Sequence, residues 1–318
     1  MFTRKARPTD PLPADHEPRR IWIDLLNPDA ADHQHAETAC GLRLPDKAAL
    51  SEIENSSRHY QEGEATYLSA PLMHASETDD ADLTPVGFII TPEHLVTVRF
   101  EPMKAFDAAA KRLAEHPPAS SLDAFTALLE EIVDRKADIL EAQAAKLSTV
   151  STRIFAHDRP HRKRRRASDE MRQTLTEVGR VGAVLGKMRS SLLTTHRITS
   201  YVQDGIARAA DKDLRRRLAA ADDDIQSLSG FAETLSNKVA FLLDAVLGFI
   251  NIDQNDVIKV LTVVSVVGVP PTLVASWYGM NFKHMPELDW AYGYPYAFTL
   301  LVLSVVVPLV WLKVRGWF

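Results

Sequence analysis

At 318 residues, with 46% hydrophobic and 25% charged side chains, the chain is long enough for two or three domains with substantial cores. Its net charge of −5 singles out no class of partner by itself. The single cysteine, Cys40, excludes an intrachain disulfide and fits a reducing compartment.

Residues 1–20 are Pro-rich and charged with no apolar segment, so no signal peptide is expected there and the stretch reads as a flexible tail. Over 21–120, "IWIDLL", "ATYLSA", "VGFII" and "LVTVRF" are β-branched or aromatic runs bounded by Pro, Gly and acidic residues, which predicts strands. "DAADHQHAETACG" and "DKAALSEIENSS" between them predict helices, so a small cytosolic α/β domain is expected. From Ser121 strand signals cease. Val133, Leu140, Leu147 and Ile154 recur at heptad spacing, and Met171, Leu175, Val178, Gly182, Leu185 and Leu192 follow at steps of three and four. Two long antiparallel helices joined by "HDRPHRKRRR" account for both patterns. The basic run Arg162 to Arg166 lacks aromatic interleaving, which favours a solvated helix–helix tip over a nucleic-acid or anionic-lipid site.

A third helix carries more information. Leu214, Leu218, Ala221, Ile225, Leu228, Ala232, Leu235, Val239, Leu242, Val246 and Phe249 hold an unbroken 4-3 spacing, a coiled-coil seam with no breaker before the apolar segment that follows. One helix from about Leu214 to beyond Gly268 is predicted, on the order of 80 Å long. Beside the seam runs a second row at the same spacing: Asp223, Ser227, Gly230, Thr234, Asn237, Phe241, Asp244, Gly248, Asn251 and Asn255. It continues as Ile258, Thr262, Ser265, Val269, Thr272, Ser276 and Gly279. At membrane depth, such a row must face protein or water. It is either small-residue helix packing or the lining of a pore.

From Val257 to Tyr278 the only charge is Lys259, and Tyr296 to Leu312 carries none, so each segment is long enough to cross a hydrocarbon core of roughly 30 Å. The expected layout is long helices and stalk over 121–255, a first span over 256–278, an external loop over 279–295, a second span over 296–313 and a basic tail over 314–318. Lys259, Lys313 and Arg315 flank the outer ends of the hairpin, whereas Lys283 is offset by Glu287 and Asp289 in the loop, which places both termini inside. Two helices enclose no interior, so a pore requires several copies around an axis. The histidines are scattered and form no zinc cluster, no nucleotide-binding G-x-x-x-x-G-K-[ST] is present, and neither ATP nor nucleic acid is an expected partner.

"GFINIDQNDVIKVLTVVSVVGVPPTLVASWYGMNFKHMPELDWAYGYP", with its Y-G-M-N-F followed by M-P-E-L, and "KVRGWF" at the end resemble the CorA family of two-span divalent cation channels. "WIDL" at Trp22 and "LSEIENS" near Glu52 extend the likeness over most of the chain. The resemblance implies an ion channel or transporter, not an enzyme: a homopentamer in the bacterial inner membrane with cytoplasmic termini and a cytosolic funnel. The first span would line the pore, with Mg²⁺ as the usual cargo and Co²⁺ and Ni²⁺ also carried. Mg²⁺ would be both transported and regulatory, with no organic cofactor.

On that resemblance, Gly279, Met280 and Asn281 correspond to the selectivity filter. Asn255, Ile258, Leu261, Thr262, Ser265, Val269 and Thr272 line the pore, and Asp244 is a funnel acid. The family's L-E-D-I pattern, whose acid faces an aspartate on the neighbour's stalk across a Mg²⁺, reads Leu50-Ser51-Glu52-Ile53 here. Glu52 stands in place of Asp and Ser51 in place of an acid, and the stalk partner falls within Asp222, Asp223 and Asp224. Each residue also has a local reading. Asn281 suits a helix C-cap, Asn255 a register-fixing buried polar residue, and the three aspartates a solvated face. Two further functions are carried forward, a ZntB-like zinc transporter, disfavoured by the retained Met280, and a non-conducting membrane-tethered scaffold.

Overall fold

The computed structural model describes residues 21–52, 58–74, 81–155, 164–281, 285–287 and 289–317, without the side chains of Ala39 and 164–170. The expected tail, the second half of "LSEIENS", the first two residues of the basic run and Phe282 to His284 lie outside the described residues. The chain divides into two units, Met1–Leu243 and Asp244–Phe318.

The first unit is organised by one five-stranded sheet. In chain order come β1 (Trp22–Leu26), α1 (Ala30–Cys40), α2 (Lys47–Leu50), β2 (His59–Glu62), β3 (Ala65–His74), β4 (Asp82–Ile90), β5 (Leu95–Arg99), α3 (Lys104–Glu115), α4 (Ser121–Phe155) and α5 (Arg164–Asp204). A 3₁₀ turn, Ile206–Ala209, leads into α6 (Lys212–Tyr278). The sheet order is β1-β5-β4-β3-β2, with β1 parallel to β5 and the other pairs antiparallel. Every residue of the interior strand β5 is buried, which is what a run of Leu, Val and Thr covered on both faces requires.

Strand alternation sends the two sets of side chains to different layers. Val96 and Val98 join Ile89, Tyr67, Ala65, Leu50, Leu44 and Ala36 in one cluster, beneath α1 and α2. Thr97 and Arg99 share the other face with Trp22, Asp24 and Phe88, which packs on Phe106 of α3 and Phe125 of α4. The buried polar side chains of Trp22, Asp24, Thr97 and Arg99 on that face are paired with one another. Trp22 Nε1 donates to Thr97 Oγ1 (3.0 Å), Thr97 Oγ1 to Asp24 Oδ1 (2.8 Å), and Arg99 Nη2 to Asp24 Oδ2 (2.8 Å).

All four expected strands and the first helix are present, but two elements were not anticipated. β2 is a polar edge strand, "HYQE", closed onto β3 by a two-residue loop in which Gly63 takes φ 61°; a II′-type hairpin needs a glycine there, and the polar composition hides the strand. α3 buries Ala105, Phe106, Ala109 and Leu113, yet Met103 at its N-cap makes no side-chain cap bond, so no start signal marks it. Of the expected helix over "DKAALSEIENSS", α2 covers Lys47–Leu50, Ser51 turns out of it, and Ile53 to Ser57 lie outside the described residues; Ser69 Oγ donates to the Leu50 carbonyl (2.8 Å).

The long helices follow their periodicity. Val133, Leu140, Leu147 and Ile154 on α4 and Val178, Leu185 and Leu192 on α5 are all buried. On α6, Leu218, Ile225, Ala232 and Leu242 are fully buried, while Asp223, Ser227, Gly230, Thr234 and Asn237 beside them are exposed. A Cβ on Gly182 would stand 3.3 Å from Val239 Cγ1, so α5 and α6 approach closely there.

In the second unit α6 continues to Tyr278 through Pro270 and Pro271, and α7 (Gly293–Val314) follows. The two prolines withdraw two ladder donors, leaving the Val266 and Val267 carbonyls without their usual partners in a helix that runs on. Both helices are long and apolar enough to cross a membrane. Little of that surface is covered within the chain: Val260, Leu261, Val264, Leu273 and Trp277 are all more than half exposed.

Candidate functional site

Gly279, Met280 and Asn281 follow directly on the last turn of α6. The Gly279 amide donates to the Ala275 carbonyl (3.0 Å) and the Met280 amide to the Trp277 carbonyl (3.4 Å). Among the described residues a left-handed backbone occurs only at Asn27, Gly41, Gly63 and Gly316, so neither Gly279 nor Asn281 ends the helix as a left-handed cap. A Cβ at position 279 would stand 3.2 Å from the Ala275 carbonyl oxygen, a tight contact that glycine avoids. Asn281 is exposed and, among the described residues, its amide makes no side-chain hydrogen bond. The loop closes at Gly293, where a Cβ would overlap the Glu287 carbonyl oxygen, and Trp290 sits against Tyr292 and Tyr296 (6.1 and 6.0 Å between centroids).

Along α6 behind this turn, Asp244, Asn251, Asn255, Ile258, Leu261, Ser265, Val269 and Thr272 are exposed and Thr262 is half-buried. Thr262 Oγ1 donates to the Ile258 carbonyl and Thr272 Oγ1 to the Gly268 carbonyl, both at 2.8 Å. Each hydroxyl hydrogen is therefore occupied by the helix itself, and each oxygen is left with lone pairs only.

Glu52 is positioned from the sheet. Asp46 caps α2 through the Ala49 amide (2.8 Å). Leu50 then seats against Gly87 of β4, where a Cβ would come 2.9 Å from Leu50 Cδ2. The Ser69 bond fixes the Leu50 carbonyl, and Glu52 emerges exposed two residues later. It borders a cavity of about 310 Å³ shared with Pro45, Tyr60, Tyr67 and Ser69, in which Tyr60 stacks on Tyr67 at 4.8 Å. Burial, followed by Glu62, pushes both tyrosine hydroxyls above their usual range.

The three aspartates separate by helix face. Asp222 is buried: Oδ1 meets His196 Nδ1 of α5 at 2.7 Å, and Oδ2 accepts from Gln226 Nε2 at 3.1 Å. Asp223 and Asp224 are exposed, and among the described residues neither makes a side-chain hydrogen bond or ion pair. The structure thus withdraws Asp222 into the protomer. Arg217, one and a half turns earlier, ties α6 to α4 through Glu130 (2.8 and 3.0 Å) and Asp123 (2.8 Å); the Glu130 carboxylate, with Asp123, holds its guanidinium pKa above the usual range. Among the described residues no three His, Cys, Asp or Glu side chains converge as a metal site within the chain.

Sequence reasoning missed His196, which positions Asp222, and Ser69 and Gly87, which position the segment leading to Glu52. No spacing signal marks them, because each acts across the fold on a distant segment.

The family model described as "CorA-like Mg2+ transporter protein" matches residues 19–315. The magnesium transport protein CorA of Haemophilus influenzae is 33% identical over 302 residues, 93% of this chain and 92% of its own. The complete structure of the CorA magnesium transporter from Methanocaldococcus jannaschii superposes with a TM-score of 0.79 at 19% identity, covering 96% of this chain and 95% of that one. The ZntB cytoplasmic domain from Vibrio parahaemolyticus reaches 0.54 at 13% identity, over 72% of this chain and 87% of that one.

Proposed function

The chain belongs to the CorA-like Mg²⁺ transporter family, and on that premise we propose that it forms a homopentameric Mg²⁺ uptake channel of the bacterial inner membrane, its termini cytoplasmic. Co²⁺ and Ni²⁺ pass by the same route. The observation that carries the reading is the Gly-Met-Asn segment that follows a 67-residue helix whose mostly small and polar row runs from Asp223 to Ser276 and on to Gly279, two residues before Asn281.

Mg²⁺ sheds water reluctantly and prefers rigid octahedral oxygen surroundings, so a selective mouth meets the hydrated ion. The first-shell waters present hydrogens outward, and the matching wall is one of acceptors. Five Asn281 carbonyls accept from those waters without gripping the ion, where carboxylates would hold it and slow release. Thr262 and Thr272 suit the same task, since their hydrogens are committed to backbone carbonyls. Asn255 adds an inner ring, while Ile258, Leu261 and Val269 form apolar constrictions that gate by dewetting. An inside-negative potential contributes roughly 4.6 kcal/mol per 100 mV to a divalent ion, at about 2.3 kcal/mol per charge, so uptake needs no ATP.

Closure comes from cytosolic Mg²⁺ bridging Glu52 of one protomer to Asp223 of its neighbour, with Asp224 beside it and Asp244 further along as a funnel acid. Supporting this, Glu52 and Asp223 are exposed carboxylates without internal partners among the described residues. Facing carboxylates repel unless a cation intervenes, so loss of Mg²⁺ loosens the interface. Uptake into proteoliposomes under an imposed potential tests the function, with Mg²⁺ and Zn²⁺ in parallel and Asn281→Ala as control. Mg²⁺ flux that Asn281→Ala lowers is expected. Zn²⁺ flux alone would point to a zinc transporter, and no flux of either ion to a scaffold.

A further inference from the structure

Lys136 stands on the buried seam of α4, three residues after Val133 and four before Leu140, and is only 4% exposed. Its Nζ donates to the Ser191 carbonyl (3.2 Å) and to Thr195 Oγ1, both on α5. The Thr195 hydroxyl gives its own hydrogen to the Ser191 carbonyl (2.7 Å), so toward the amine it can only accept. The Ser191 hydroxyl in turn donates to the Pro71 carbonyl of β3 (2.6 Å). Lys136 thus heads a hydrogen-bonded chain running from α4 through α5 to the sheet.

Two acceptors match the two N–H bonds of a neutral amine. An ammonium has a third N–H and a full charge, and neither finds a partner here among the described residues. Around it on α4, Asp134 and Asp138 are exposed and Arg135 is half-buried. On α5, Arg189 and Arg197 are exposed, Lys187 is paired with Asp82 of β4, and His196 with Asp222 of α6. His74 of β3 is half-buried. Burial alone pushes the Lys136 ammonium down to about 7.

We propose that Lys136 is a proton-operated latch: neutral, it clamps α4 to α5 and the sheet; protonated, it loosens that contact. The folded-state value lies below the unfolded one, so the unfolded or opened chain holds a proton that the closed one lacks. Closure therefore strengthens as pH rises from about 7 to about 10.5 and is weakest, and flat, below that window. The unit that the latch loosens carries Glu52 and Asp223, so acidification would act on the proposed sensor without touching its ligands.

Hydrogen exchange of the full chain in detergent, expressed as protection factors so that intrinsic pH effects cancel, reads the latch directly. Amides of residues 188–199 are expected to lose protection by about fifty-fold between pH 9 and pH 7 and to level off below pH 6. Lys136→Met should abolish that dependence, and Lys136→Arg, which stays charged, should show low protection at every pH. Equal pH dependence in wild type and Lys136→Met overturns the proposal. So does wild-type protection that stays constant between pH 9 and pH 7, a result that needs no variant to fold.

Discussion

Replacing Asp222 and Asp223 one at a time separates a structural carboxylate from the one proposed to hold regulatory Mg²⁺, two atoms of backbone away. Asp222→Ala removes bonds from His196 (2.7 Å) and Gln226 (3.1 Å) in a side chain that is 11% exposed. Hydrogen bonds to charged groups contribute about 1.5–3 kcal/mol each. His196 is 36% exposed and regains water when its partner is lost, so the expected cost is about 2–3 kcal/mol. For a unit of this size each kcal/mol shifts the melting temperature by about 2–4 °C, giving a loss of about 4–12 °C. Asp223→Ala removes no internal bond and should change stability by less than about 0.5 kcal/mol. The order reverses for regulation. Asp223→Ala, and more so Glu52→Ala with Asp223→Ala, should raise the Mg²⁺ concentration needed for protection from protease, whereas Asp222→Ala keeps that dependence well below its melting point. Thermal unfolding of the full chain in EDTA gives the first comparison, and limited proteolysis across a Mg²⁺ series the second. If Asp223→Ala melts as early as Asp222→Ala in EDTA, or the Glu52/Asp223 double variant closes with unchanged Mg²⁺ dependence, the assignment is wrong.

The Asp24–Arg99 pair, with side chains 4% and 2% exposed, predicts that Asp24→Ala costs about 3–5 kcal/mol by stranding a buried guanidinium. Arg153→Ala, in a pair that is 46% and 38% exposed, should cost under about 1 kcal/mol; similar melting temperatures for the two variants would contradict this. Asp24→Leu with Arg99→Met should recover much of the loss, because an apolar pair leaves no charge uncompensated. On α6, Ile225→Ala should cost about 2–5 kcal/mol, whereas exposed Ser227→Ala changes the denaturant midpoint little. An equal effect of both would mean that the seam and the polar row are not separate faces.

The long helices, the alternating strands and the two apolar spans were legible in the sequence because each is a periodic signal summed over many residues. The 4-3 spacing from Leu214 onward predicted the buried seam of α6, and Y-G-M-N-F with M-P-E-L pointed to the CorA family, as the match over residues 19–315 shows. β2 and α3 escaped because one is a polar edge strand and the other lacks an N-terminal cap.

What the tertiary structure alone decided concerns which face a polar residue meets. Asp222, Asp223 and Asp224 are chemically identical and adjacent; the 4-3 spacing put Asp223 on the polar row, but no spacing rule gave Asp222 its partner. His196, 26 residues away on a neighbouring helix, draws one inward. In the same way Leu50 needs the bare backbone of Gly87 and the hydroxyl of Ser69 before Glu52 can emerge where it does. Helical and strand periods are set by the local backbone and can be read in one dimension. The partner of a single carboxylate is set by packing between segments far apart in the chain, and it exists only once they have met.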